Sequence, residues 1–337
     1  MAANDSPKTL QEAIRFYSDL DVCQTALVEA RWPDGVTCPT CGSANVGYLA
    51  NQRRWQCKAK PYHTKRQFSA KVGTIFEDSP IKLDKWFVAI WLIGSAKNGI
   101  SSYELSRAIG ITQKSAWFML HRIRLAMQTK SFSKPFGGEV EVDETFIGAK
   151  ARNMHYDRKV RALQGARGAF AGKVAVMGLL QRHGKDGHSQ VRTEVVPNVR
   201  RQNLQYQMNK HVKMDGNTTV YSDKLMSYLP VTPKGWRPSD LYVHKVIDHS
   251  EAYVNGQIHT NGLENFWSLL KRMIKGTYVS IEPFHLFRYL DEEAFRFNSR
   301  KMTDGNRFNE VKARVAGKRL TYKELTGGDR DEPIEAY

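Results

Sequence analysis

Three short runs with the patterning of strands follow one another from Glu139 onward, and they constrain the fold more than any other feature of the sequence. They are EVEVDETF, KVAVMGLL and QVRTEVV. A helical segment follows from Arg200 to Val212, then an apolar run that ends in VYSD, and then a strong helix from about Thr260 to Lys275. Because strands here are mixed with helices, we predict an α/β domain.

Three of the four cysteines lie close together upstream of this domain. Cys38 and Cys41 form the knuckle CPTCG, in which Gly42 can supply the tight turn. Cys57 follows in RRWQCKAKPYH, and His63 lies six positions further on. Thiolates and an imidazole can close a tetrahedral zinc site, which a small ribbon with little core of its own needs. We therefore predict a ribbon with structural Zn²⁺, the alternative being a core cysteine and a surface histidine.

The net charge of +17 and the sequence pI of about 9.7 indicate a polyanionic partner, either nucleic acid or an acidic membrane surface. A merely soluble basic protein is the alternative. The longest apolar run, between Lys85 and Lys97, is far shorter than the roughly 20 residues that cross a bilayer. The start MAANDSPKTL has no basic-then-apolar signal pattern. We therefore expect no membrane partner and a reducing, cytoplasmic location.

Residues 80–130 have the pattern of three helices. SSYELSRAIG begins with serines that can cap a helix, and it ends at Gly110, a natural stop. The basic segment ITQKSAWFMLHRIRLAMQ follows after a short turn. Two short helices around a glycine turn are typical of a DNA-binding helix-turn-helix, although an ordinary helical hairpin is the alternative. The side chains that we expect to face outward, towards DNA, are Gln113, Lys114, Arg122 and Arg124.

Two aspartates stand at strand ends. In EVEVDETF, Val140 and Val142 alternate with Glu141 and Asp143, so the two acids share the opposite face of the strand. In TTVYSDKL, Asp223 closes an apolar run and precedes a loop. We expect Asp143 and Asp223 to be functional and Glu141 to be structural.

A third acidic candidate lies in HTNGLENFWSLLKR. The apolar residues of this segment recur at helical spacing and form a core stripe: Leu263, Phe266, Trp267, Leu270 and Ile274. A different face of the same helix carries Asn261, Glu264, Ser268 and Lys271. Glu264 and Lys271 can therefore point towards one site.

Carboxylates from distant parts of the chain suit metal-dependent cleavage of a phosphodiester. This cleavage needs an activated nucleophile and a stabilised leaving oxygen, and two divalent ions about 3.5 to 4 Å apart can provide both. Magnesium prefers hard oxygen ligands, chiefly carboxylates. We predict that Asp143, Asp223 and Glu264 bind Mg²⁺ or Mn²⁺, while Lys271 neutralises a nearby phosphate. Taken singly, each acid has an ordinary alternative as a turn former, a helix-face charge or half of a salt bridge.

The order of these segments resembles the bacterial insertion-sequence transposases related to eukaryotic Merlin elements, within the wider DDE group. EVDETFIG, VYSD and HTNGLENFWSLLKR carry the resemblance, which covers roughly residues 15–325. It implies an RNase H-like catalytic core, a mixed sheet with flanking helices, with metal-binding roles for Asp143 and Asp223. A glutamate followed seven residues later by a basic residue, as with Glu264 and Lys271, is common in DDE enzymes. Members of this group often have asparagine as the third residue, so Asn261 is the alternative.

The resemblance also implies a function. We expect a transposase that binds the terminal inverted repeats of a mobile element and catalyses metal-dependent strand cleavage and strand transfer. Its partners would be double-stranded DNA at the ends and at the target, a homo-oligomer would assemble on the DNA, and the protein would be associated with the nucleoid. The alternatives are a DNA-binding regulator with an inactive RNase H-like domain, and a nuclease of the same fold.

The domain boundaries follow from these motifs. The ribbon departs from a four-cysteine pattern, because its last ligand would be His63. A loop rich in Ser, Pro and Gly separates the helical segment from the α/β domain. The predicted domains are a helical lead-in at 1–31, a zinc-ribbon-like domain at 32–72, a helix-turn-helix at 80–130, an RNase H-like catalytic domain at 138–302 and a polar tail at 303–337.

Overall fold

The structure is a computed structural model. It describes residues 7–128, 134–148, 156, 172–184, 187–223, 241–247 and 259–327. The described residues fall into two compact units: one runs up to Gln128 and resumes at Lys301, and the other lies between Thr129 and Arg300. Within the described residues, no helix is both long enough and apolar enough to cross a membrane.

The first unit begins with two helices, α1 (Leu10–Phe16) and α2 (Leu20–Arg31). The side chains of Thr9 and Asp19 accept hydrogen bonds from backbone N–H groups of the first turn of α1 and α2 respectively, which explains where each helix begins. Cys23 is fully buried on α2. The helical lead-in that the sequence indicates is therefore a pair of capped helices.

A three-stranded antiparallel sheet follows, in the order β1 (Val46–Leu49), β2 (Arg54–Cys57) and β3 (Gln67–Ser69). A short 3₁₀ turn joins β1 to β2. The core of this sheet is small: the rings of Trp55 and Phe68 stack with centroids 6.1 Å apart. Trp32 packs against both rings, with centroids 5.8 and 6.1 Å away. A core of this size is typical of ribbons that a metal stabilises.

Three helices complete the main part of this unit: α3 (Leu83–Ser95), α4 (Ser102–Ile109) and α5 (Gln113–Met127). Ser101 and Glu104 form a reciprocal capping box at the start of α4. Gly110 ends α4 in the left-handed conformation, with φ of +64°, and Thr112 then caps α5. The serine start and the glycine stop are confirmed.

Part of the predicted polar tail is folded. The structure contains α9 (Asp304–Ala313) and α10 (Tyr322–Thr326), both belonging to the first unit. Phe308 is buried, and its ring centroid lies 5.3 Å from that of Tyr17 and 5.6 Å from that of Phe87. The segment looks polar because only one stripe of α9 is apolar, and its packing partners lie more than 200 positions earlier. Residues 328–337 lie outside the described residues.

The second unit is built on a five-stranded mixed sheet, as the α/β prediction requires. Its strands are β4 (Glu139–Ile147), β5 (Val174–Gln181), β6 (Gln190–Val196), β7 (Thr219–Asp223) and β8 (Val243–Ile247). Their order in the sheet is β6-β5-β4-β7-β8. Strand β4 is antiparallel to β5, which is antiparallel to β6, whereas β4, β7 and β8 run parallel.

Helices pack on both faces of this sheet. Helix α6 (Arg201–His211) packs on the face that carries Val140 and Val142 of β4. Helices α7 (Asn261–Met273) and α8 (Leu286–Asn298) pack on the other face. A π-helical turn extends α7 to Tyr278 and a short 3₁₀ turn precedes α8. The alternation along β4 therefore directs Val140 and Val142 towards α6, and Glu141 and Asp143 towards α7.

Candidate functional site

Asp143 and Asp223 lie on adjacent parallel strands. Val142 of β4 pairs with Ser222 of β7, and each aspartate is the next residue of its strand. Neighbouring strands are about 4.8 Å apart, and side chains at the same level of a parallel pair point to the same face. The sheet thus brings together two carboxylates that are 80 positions apart in sequence.

Helix α7 brings a third carboxylate to the same place. Nε1 of Trp267 on α7 donates a hydrogen bond to Oδ2 of Asp143 at 2.9 Å, and Glu264 precedes Trp267 by one turn. Burial raises the pKa of the Asp143 carboxyl above its usual range, the charges of Glu264 and Asp223 raise it further, and the hydrogen bond from Trp267 opposes both effects. Asp143, Asp223 and Glu264 are therefore close enough to interact electrostatically.

Asn261 and Lys271 flank Glu264 on the exposed side of α7. Asn261 is the first residue of the helix, one turn before Glu264. Lys271 lies two turns after Glu264, roughly 10 Å along the helix axis. The structure thus places both residues on the helix that carries Glu264. Of the residues on this helix, Glu264 is the one whose charge raises the pKa of Asp143.

A buried ion pair holds the start of α7. Glu141, only 1% exposed, accepts hydrogen bonds from Nε of Arg182 at 2.8 Å and from the backbone N–H of Leu263 at 3.0 Å. Nη2 of Arg182 in turn lies 3.0 Å from Nδ1 of His259. The alternation in EVEVDETF placed Glu141 on the correct face, but nothing in the sequence indicated Arg182 as its partner.

The ribbon brings all four predicted zinc ligands together. The donor atoms of Cys38, Cys41, Cys57 and His63 lie within 4.8 Å of one another. Sγ of Cys41 is 3.6 Å from Sγ of Cys57, and Sγ of Cys38 is 3.5 Å from Nε2 of His63. Zinc bonds of 2.3 Å to sulfur and about 2.0 Å to nitrogen give tetrahedral ligand separations of roughly 3.5 to 3.8 Å. The cluster therefore fits a structural zinc ion.

The chemistry of this cluster favours a metal as well. Burial by itself raises the pKa of the Cys38 thiol, but hydrogen bonds from the backbone N–H groups of Cys41 and Thr40 and from the neighbouring thiols lower that pKa to about 6. The thiolate is the form that binds zinc. Gly42, with φ of +73°, adopts the left-handed conformation in the knuckle, and its N–H donates to the carbonyl of Cys38 at 2.8 Å.

The four predicted DNA-facing residues of α5 divide into two pairs. Lys114 is exposed, and Gln113 is partly exposed and donates to Oγ of Ser102 at 2.8 Å. The prediction that Arg122 and Arg124 face outward is wrong, because they are 5% and 1% exposed. The C-terminal half of α5 is covered on the side where a basic helix face was expected.

Arg122 has a structural role instead. Its guanidinium donates to the backbone carbonyls of Ile75 at 3.1 Å, Glu77 at 2.7 Å and Leu320 at 3.0 Å. These acceptors come from two segments far apart in sequence, one before α3 and one between α9 and α10. Helical spacing alone could not reveal them, because it shows which residues share a face but not what covers that face.

Two known protein families match the α/β domain and the ribbon of this chain. Residues 135–298 match the ISXO2-like transposase domain, and residues 19–59 match the transposase zinc-ribbon domain. A protein of Halobacterium salinarum described as an uncharacterized protein in transposable element ISH50 is 27% identical over 257 residues, which cover 74% of this chain and 81% of that protein. The chain therefore belongs to the insertion-sequence transposases that carry a zinc ribbon.

Proposed function

We propose that this transposase cleaves DNA at the ends of its element and joins the freed strands to target DNA, with divalent metal held by Asp143, Asp223 and Glu264. The convergence of these three carboxylates from β4, β7 and α7 is the observation that carries the proposal. The transposase domain match spans all three residues.

The strand arrangement supports an RNase H-like catalytic core. Three antiparallel strands are followed by two parallel ones, in the order β6-β5-β4-β7-β8. The central strand β4 carries Asp143, its parallel neighbour β7 carries Asp223, and helices cover both faces. This arrangement agrees with the fold that the family resemblance implies.

The residues present fit a hard divalent cation such as Mg²⁺ or Mn²⁺. All three side chains offer carboxylate oxygens, the donors that these ions prefer. The ionised form of a largely buried carboxylate is unfavourable beside two other negative charges unless a cation is bound. The pKa of Asp143 is raised for this reason, by burial and by the charges of Glu264 and Asp223. When bound, such ions would activate the attacking hydroxyl and stabilise the leaving oxygen.

The other residues of α7 have supporting roles in this proposal. Lys271 is an exposed cation on the helix of Glu264 and would neutralise a DNA phosphate next to the cut. Asn261 would be a neutral oxygen ligand in place of Glu264. The negative charge of Glu264, which acts on Asp143, supports Glu264 as the third metal-binding residue.

DNA recognition belongs to the first unit in this proposal. The ribbon and the α4–Gly110–α5 segment, acting as a helix-turn-helix, would bind the terminal inverted repeats. Lys114 and Gln113 lie at the start of α5, where a recognition helix approaches bases and phosphates. Because two element ends must be held together for joining, we propose that the protein acts as a homo-oligomer on DNA.

A cleavage-and-joining assay tests the proposal. Full-length protein is incubated with labelled DNA that carries the repeats flanking its own gene, with Mg²⁺ or with a chelator. We expect metal-dependent nicking followed by joining, both lost in Asp143→Asn and retained in Asp304→Asn, the same change in a half-exposed residue of α9. Binding without cutting would favour the regulator alternative, and cutting without joining would favour the nuclease.

A further inference from the structure

The contact between Trp267 and Asp143 has a consequence for the metal site. Trp267 is 4% exposed, and its Nε1 donates to Oδ2 of Asp143 at 2.9 Å. We propose that Trp267 is a positioning residue that fixes the orientation of the Asp143 carboxylate, so that Oδ1 is presented to the divalent cation. This inference rests on the proposed function.

An aspartate carboxylate needs this kind of support because its terminal torsion is broad and roughly two-fold. A fixed donor on Oδ2 restricts rotation of the carboxylate, so that Oδ1 keeps a defined orientation. The indole of Trp267 is suited to the task because its N–H donates and offers no lone pair to a metal, so it does not compete with the carboxylate for the ion. The backbone N–H of Glu144 also donates to Asp143.

Gly178 makes room for the indole. On β5 it pairs directly with Asp143 of β4 and lies on the same face of the sheet. A Cβ atom at Gly178 would lie 2.5 Å from Cζ2 and 2.8 Å from Cη2 of Trp267, and 2.9 Å from Cδ2 of Leu263. A side chain at this position would therefore displace the ring from the sheet. Glycine weakens a strand interior, and here the close approach of the indole explains its presence.

The register between α7 and β4 is fixed at two points. Glu141 accepts from the backbone N–H of Leu263, and Asp143 accepts from Trp267. Two residues along a strand span about 6.6 Å and four residues along a helix about 6 Å, so the two contacts match in spacing. The ring of Trp267 also packs against Phe266, with centroids 5.2 Å apart. The two hydrogen bonds therefore fix the position of α7 along β4, and with it the position of the indole donor.

Binding of Mn²⁺ to the zinc-loaded full chain tests the inference, with free Mn²⁺ measured by electron paramagnetic resonance. Trp267→Phe keeps an aromatic ring and loses the donor, whereas Gly178→Ala keeps the donor and displaces it. We expect both variants to raise the Kd for Mn²⁺ by about tenfold, as loss of a supporting hydrogen bond typically does. Trp86→Phe is the matched control, because it removes an indole N–H that donates to Oγ of Ser79 in the first unit. This variant should bind Mn²⁺ with the affinity of the unchanged protein.

The metal dependence of cleavage supplies a second readout. If Trp267 acts through metal binding, a high Mn²⁺ concentration should restore cleavage by Trp267→Phe. Cleavage would not be restored if the substitution caused a folding defect. Wild-type Mn²⁺ affinity in both Trp267→Phe and Gly178→Ala, together with weakened affinity in Asp143→Asn, would overturn the inference and leave the proposed function intact. Unchanged Mn²⁺ affinity in Asp143→Asn would overturn both.

Discussion

Glu141 on β4 caps helix α7 from outside the helix, because its Oε2 accepts a hydrogen bond from the backbone N–H of Leu263 at 3.0 Å. The side chain of Thr260, at the N-cap position, makes no capping hydrogen bond. A strand carboxylate thus takes the place of a local cap and ties the helix that carries Glu264 to the strand that carries Asp143.

We expect Glu141→Gln to destabilise the second unit by about 3 kcal/mol, because it leaves the buried guanidinium of Arg182 without its charge partner. Chemical denaturation measures the change. Asp21→Asn is the control, since it breaks an ion pair with Arg53 that is exposed and should leave stability almost unchanged. Equal effects of the two substitutions would show that the Glu141 pair is not a structural anchor.

Gly262→Ala should destabilise the protein even though alanine normally favours a helix by about 1 kcal/mol over glycine. The added Cβ would lie 2.8 Å from Oε2 of Glu141 and force the buried carboxylate away from the helix. Gly94→Ala on α3 is the matched control, because a Cβ there meets no atom within 4 Å, and it should be neutral or stabilising. Thermal unfolding of the two variants tests the difference in sign.

Zinc content distinguishes the ribbon ligands from the remaining cysteine. We expect Cys38→Ser and His63→Ala to lose zinc and to melt the strands of the ribbon, because the stacked pair Trp55 and Phe68 is too small a core to hold them. Cys23→Ser, a change outside the cluster, should retain full zinc content. Full zinc in His63→Ala, measured by atomic emission, would remove the histidine from the ligand set.

Two basic residues of α5 should respond differently to alanine. Arg122→Ala should lower stability by about 2 to 4 kcal/mol, since it leaves three backbone carbonyls without their donor.

Lys114→Ala should keep the fold, weaken DNA binding and reduce the slope of log K against log salt by about one. Titration of DNA at several salt concentrations checks the second statement, and an unchanged slope would contradict a phosphate contact at Lys114.

Periodicity predicted the local elements well. The strand runs beginning at Glu139 and the helix of Glu264 occur where the sequence indicates them, because each keeps one apolar face against the core. The zinc ligands were also predictable, since a knuckle with a turn glycine has few other uses. These features depend on neighbours within about 25 positions, the separation of Cys38 from His63.

What depended on distant partners could not be predicted. Arg122 has the sequence context of a surface cation, yet it is buried and donates to the backbone carbonyl of Leu320, 198 positions away. Trp267 belongs to the apolar stripe of α7, and only the sheet shows that its N–H reaches Asp143 across Gly178. Helical and strand spacing assign a residue to a face, whereas the group opposite that face is set by the tertiary fold.

Anomalous scattering from crystals of the full chain soaked in Mn²⁺ tests most directly whether the three carboxylates form one metal site. We predict a manganese peak about 2.1 Å from carboxylate oxygens of Asp143 and Asp223, with Glu264 alongside. The zinc peak at Cys38, Cys41, Cys57 and His63 serves as the internal control. A zinc peak without manganese at these carboxylates, or manganese bound by other residues, would contradict the proposed site.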